Sequence, residues 1–263
     1  VTNGNLTLNN IALTLGGDFS MINGSFDPGI SDLHNVAGIW NETGGVFQPI
    51  DGTFTFSGTG GKTIAQNTGN NFWDLTIASG GINKISANSP ISVSGVFTNT
   101  NGTFDTEGNT VEVDGVTNID GGILEIAAGT FDANNTFDAN GANVTFTGAG
   151  TLKLGGATVD LGILEAILND GTVEYDFDGD QGIFDATYHH LESDNNTGTA
   201  TAGSALAVQG NLTITNGNLT LNDALTLTGD FFLTSGTLVP GSSDLHTVSG
   251  NWNDAGGIFD GTI

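Results

Sequence analysis

A single mark recurs along the chain roughly every 20 residues: a glycine, one residue, then an apolar residue. It falls at Gly4, Gly24 and Gly45, at Gly80, Gly102 and Gly122, at Gly129, Gly150 and Gly171, and at Gly217, Gly236 and Gly257. Between the marks lie short alternations of apolar and polar residues, such as Leu13, Thr14, Leu15 and Val111, Glu112, Val113. Alternation of period two is the pattern of strands with one buried face. The Asn-Gly, Gly-Gly and Asp-Gly pairs between them favour tight corners, because Gly and Asn accept positive φ. Sandwiches and meanders give turn signals at a shorter and less regular interval, without a longer repeated unit. A longer unit that holds several strands instead predicts an all-β parallel β-helix, a β-solenoid with about 20 residues in each coil and each coil stacked on the last.

The chain also repeats itself at long range. Ala12–Phe47 and Ala224–Phe259 align without a gap at an offset of 212, with 21 of 36 positions identical. Weaker parallels join Ile91–Gly102 to Leu206–Gly217 and Gly52–Ile64 to Gly171–Ile183, with offsets that shift as coils gain or lose residues at corners. The expected organisation is one continuous solenoid over 1–263 with related modules at 12–47 and 224–259. It reads as a segment of a longer repeat array or as a filament subunit.

Composition agrees and narrows the partners. There are 42 Gly and no Cys among 263 residues, and 29 acidic residues face only Lys62, Lys84 and Lys153, a net charge of −26. Phosphate backbones need clustered Lys and Arg, so nucleic acid is excluded as a partner, and anionic membranes are disfavoured on the same ground. No apolar run reaches the roughly 18 residues of a membrane span.

The order of GTFTFSGTGGKTI, NNFWDLTI, PISVSGVFTNTNGTFDTEGN, GDF and SGNWNDAGG resembles the repeats of large bacterial surface and secreted proteins, and is similar to the filamentous haemagglutinin and autotransporter passenger families. The resemblance covers nearly the whole chain and rests on architecture-setting residues. It implies a right-handed parallel β-helix, an extracellular or cell-surface place in a bacterium, and an adhesin, fibre or matrix component rather than an enzyme. Lyases of the same architecture use an Arg base, and this chain has no Arg. A carbohydrate-binding or carbohydrate-cleaving β-helix is the alternative; a row of exposed aromatics, with Phe72, Trp73 and Tyr188 the residues to inspect, would favour it.

The two modules separate the faces of the strands. Asp32, His34, Val36, Gly38 and Trp40 share one parity and recur as Asp244, His246, Val248, Gly250 and Trp252, while the opposite parity drifts. Packing penalises volume change, so the constant parity is expected inside, with Leu13, Leu15 and Phe19 and their counterparts Leu225, Leu227 and Phe231. His34 and His246 are then structural residues near a corner, with Asp32 and Asp244 as the partners within reach. Adjacent His189 and His190 would point to opposite faces of an extended strand and chelate poorly.

One acidic stretch suggests a metal. Asp176, Asp178 and Asp180, preceded by Glu174, have the spacing that opens a calcium loop, if Gly179 turns the chain. On a straight strand the same carboxylates stand about 6.7 Å apart and form a solvated face, with Val173, Tyr175 and Phe177 inward. About 13 coils at roughly 4.8 Å would give a rod of about 60 Å. Without caps at its ends, such a rod is expected to associate with itself end to end, and its flanks to meet surface carbohydrate or other cells.

Overall fold

A computed structural model describes residues 1–31, 33–165, 170–243 and 245–261. The elements in them are 35 strands, and every pairing between them is parallel. They form a parallel β-solenoid of about 12 turns with about 20 residues each. Three faces follow one another along the chain. In the first turn these are Asn5–Thr7 (face I), Thr14–Leu15 (face II) and Phe19–Met21 (face III). The next turn places Ser25–Asp27, His34–Val36 and Trp40–Glu42 directly on them.

Registers are fixed by the alternation. Phe54 lies over His34 and under Leu75, and Leu124 lies between Phe104 and Val144, so inward residues meet inward residues from coil to coil. A one-residue slip would turn a whole strand inside out. The inward set is one continuous core. Near the start it is aromatic: Phe19 stacks on Trp40 with centroids 4.0 Å apart, and Phe47, Phe54, Phe56 and Phe72 surround Trp40. Later coils mix Leu, Ile and Val with more scattered rings such as Phe97, Phe104 and Phe131.

Two strands, His190–Ala202 and Leu212–Leu221, run through a corner and serve two faces each. Phe72 supplies face I alone, through a bridge to Val93. Following the faces in order shows that the two modules do not lie one above the other. Trp40 belongs to face III, whereas its counterpart Trp252 pairs with Phe231 on face I. The offset between the modules therefore spans ten and one third turns, and the second module is rotated by one face relative to the first.

Candidate functional site

The expected inward parity is present in the first module, where His34, Val36, Gly38 and Trp40 are buried and Asn35, Ala37 and Ile39 are not. Asp32 and Asp244 lie outside the described residues. In the second module the same parity faces the same way, but no further coil covers it among the described residues. Trp40 is 0% exposed and Trp252 45%; Phe47 is 0% and Phe259 52%. A cavity of about 230 Å³ opens here, with Leu221, Leu225, Leu238, His246, Val248 and Trp252 in its walls. At the other end Leu13 and Leu15 are half-buried and Leu6 is 37% exposed, although their partners one coil on are fully inside. Both ends of the described stack thus present the cross-section of the core. The outermost strands, Asn5–Thr7 at one end and Trp252–Asp254 and Ile258–Phe259 at the other, have exposed residues throughout. Each carries a row of backbone groups with a neighbour on one side only, the usual template for strand addition.

The histidines act as corner braces. His34 Nδ1 accepts the Leu13 N–H at 3.1 Å, His246 Nδ1 accepts that of Leu225 at 3.2 Å, and His190 Nδ1 accepts that of Asn211 at 2.8 Å. In each case an imidazole satisfies a backbone amide of the adjoining coil at or just before a strand. His189 and His190 differ from expectation. A bend at His189 breaks the strand, so both rings lie together, centroids 4.5 Å apart, rather than on opposite faces. With Asp170, whose Oδ1 is 3.4 Å from His189 Nε2, they form a group with donor atoms within 4.8 Å of one another. The lone pair of His190 Nδ1 is committed to a backbone amide, which leaves the hydrogen on Nε2 and no free nitrogen for a metal on that ring.

Asp176, Asp178 and Asp180 are engaged separately. Asp176 Oδ2 is 3.2 Å from Lys153 Nζ, Asp180 Oδ1 accepts the Thr199 N–H at 3.1 Å, and Asp178 is exposed. They do not come together as one donor set among the described residues. Glu174, expected outward, is buried, and Lys153 Nζ meets it at 2.9 Å. Burial pulls the Lys153 ammonium down, but hydrogen bonds and charge from Glu174 and Asp176 outweigh it and hold the group above the ordinary lysine range. Burial raises the Glu174 carboxyl, with Lys153 opposing.

The aromatic row that would mark a sugar platform is not formed by the residues considered for it. Phe72 and Tyr188 are fully buried, and Trp73 alone is 37% exposed. Tyr188 instead closes an internal circuit that alternation does not reveal. Its hydroxyl donates to the Phe184 carbonyl at 2.6 Å and lies 2.9 Å from the Tyr175 hydroxyl, which accepts the Phe184 N–H at 3.0 Å.

No family model, curated protein or solved structure matches the chain. Among the described residues no helix is long and apolar enough to cross a membrane.

Proposed function

We propose that the protein is an extracellular structural or adhesive component of a bacterial surface, a stiff β-solenoid rod that joins others end to end in a fibre, stalk or matrix. One observation carries the reading: about 12 coils stack in parallel register around one continuous core, with hydrogen-bonded ladders running along the rod, the build of a stiff spacer rather than of a pocketed domain. A net charge of −26 repels neighbouring rods along their sides, which favours association along the axis. Divalent cations drawn to the flanks would let rods associate laterally without a dedicated site.

Sedimentation velocity and negative-stain micrographs over a concentration series test this. Rods that lengthen in steps of one chain as concentration rises are the expected result; single particles of one chain length at every concentration overturn it.

A further inference from the structure

Corners differ in length from coil to coil, and at one place on the flank the difference opens a shallow cleft. Passing from face III to face I, the chain spends six residues between Ala65 and Phe72, three between Ala87 and Ile91, and four between Asp105 and Thr110. The short corner is therefore recessed between two longer ones on the coils beside it. Loops that project in this way leave the stack beneath them undisturbed. The cleft measures about 230 Å³, with Gln66, Asn67 and Asn70 on one side, Pro90 of the short corner at its floor, and Thr110 and Glu112 on the other side.

The amides are pinned from within. Glu42 is buried, and its carboxylate accepts from Trp40 Nε1 at 2.6 Å, from the Asn67 N–H at 3.2 Å and from Asn70 Nδ2 at 2.8 Å. Asn67 Nδ2 donates inward as well, to the Gly45 carbonyl at 3.2 Å. With both Nδ2 groups spent, the Oδ1 of each residue is the atom left to act, as an acceptor. Gln66, only 5% exposed, is turned the other way. Its Oε1 accepts the Ser92 N–H at 2.7 Å, and its Nε2 has only the Ser92 carbonyl at 3.5 Å, so a donor is left. Held in this way, the three amides are placed before any ligand arrives, which lowers the ordering cost of binding.

Charge then selects the ligand. Among the described residues that line the cleft there is no Lys or His, and Glu112 is exposed at its edge. Phosphates, sulfates and sugar acids would meet a carboxylate and no cation, inside a molecule of net charge −26. A neutral molecule rich in hydroxyls fits instead. We propose that this cleft binds a neutral pyranose, the terminal ring of a glycan, whose hydroxyls donate to Asn67, Asn70 and Glu112 and accept from Gln66, with Pro90 against the ring. The Thr110 hydroxyl at the rim can donate or accept. Clefts that hold drug-sized ligands run from roughly 300 to 1,000 Å³, so this one has room for a single ring. Thr68, Pro90 and Thr110 are exposed around it, and the rest of a glycan would lead away between them into solvent. The site stands on its own lining and not on how rods assemble, so its failure would leave the rod reading in place.

Saturation-transfer NMR on the full chain tests the site, with the methyl glycosides of glucose, galactose, mannose and N-acetylglucosamine as probes and methyl glucuronide as the anionic control. Each probe presents one ring capped where a glycan would continue. Expected is saturable binding of at least one neutral probe, with Kd on the order of 1 mM for a small open site without a stacking aromatic, and none of the glucuronide. Glu112→Ala should weaken that binding about tenfold and Thr110→Val about fivefold. Both alter exposed side chains, so the circular dichroism should stay that of wild type. Thr172→Val, on the same ladder three coils on, should leave binding unchanged. No saturable binding of any neutral probe overturns the proposal, as does glucuronide binding of equal strength. Binding that survives Glu112→Ala and Thr110→Val, or that falls equally in Thr172→Val, puts the sugar elsewhere and overturns the site. Binding of a free sugar but not of its methyl glycoside overturns the assignment to a terminal ring.

Discussion

Gly217 has φ +68°, and a Cβ there would run into the carbonyl oxygen of Asn195 on the coil beneath. Both the left-handed backbone and the close approach exclude a side chain. Gly217→Ala should therefore destabilise by on the order of 3 kcal/mol, whereas Gly203→Ala, with open space around it, should melt as wild type. Equal thermal midpoints for the two variants would show that the coils can separate at this corner. The chain has two tyrosines, Tyr175 and Tyr188, and both are buried. Burial pushes the Tyr175 hydroxyl up to about 12 and that of Tyr188 well above its ordinary value. Alkaline titration followed by phenolate absorbance should show no transition near pH 10 and a single rise only on unfolding. His190 titrates the other way: burial first, and then His189, lowers it against a small opposing effect of Asp170. Its folded value lies below the unfolded one, so its contribution is complete above pH about 6.5 and is lost as pH falls below that. Protonation also removes the lone pair that holds the Asn211 amide. His190→Gln should remove this loss, so that between pH 7 and 5.5 its melting temperature changes more favourably on acidification than that of wild type.

On face I five charged residues occupy successive rungs: Glu112, Asp132, Lys153, Glu174 and Glu192. Parallel in-register stacking brings like charges to the strand spacing of about 4.8 Å, and Lys153 is the one cation in this run. Lys153→Met should cost about 1–2 kcal/mol near pH 7, with the difference shrinking near pH 4 as the carboxyls protonate. A loss that is the same at both pH values would mean packing rather than charge. Much at this scale was legible beforehand. The regular glycine spacing sets the coil, and a module present twice marks its inward residues, because core volume is held while surface residues drift. Four features were not legible. Alternation assumes an extended strand, so it missed the bend that brings His189 and His190 together, and it sees one strand at a time, so it missed that Lys153 on the adjoining coil lies against the outward Glu174. It also assigns buried tyrosines to packing without showing that their hydroxyls close a circuit. A period averaged over coils gives their number but not their phase, because corners differ in length from coil to coil. The one-face rotation between the modules therefore emerges only from strand pairing.

The whole molecule is held together against its own charge. At −26, stacked coils place carboxylates above one another along the rod, and burial raises the carboxyls of Glu42, Asp132 and Glu174 above their ordinary values. At Glu42 hydrogen bonds from Asn70, the Asn67 amide and Trp40 offset part of that effect; at Asp132 the charge of Asp176 adds to it. A carboxyl whose folded value exceeds its unfolded one binds more protons in the folded state between the two values. It therefore weakens the fold above its folded value, and the loss is recovered as pH falls toward the unfolded values of about 3.9 to 4.3. General repulsion changes in the same direction as carboxylates are neutralised. The His190 contribution opposes this below pH about 6.5, but it is one group against three raised carboxyls and a large net charge. Thermal melts should therefore give a higher midpoint near pH 5 than near pH 8. At pH 8 the midpoint should also rise with sodium chloride, since going from about 0.02 M to about 0.5 M shortens the screening length roughly fivefold. In the His190→Gln variant the gain between pH 8 and pH 5 should be larger than in wild type. A midpoint that falls with acid and ignores salt would mean that the charge ladders are compensated by contacts other than Lys84 and Lys153, each of which bridges carboxylates on neighbouring coils.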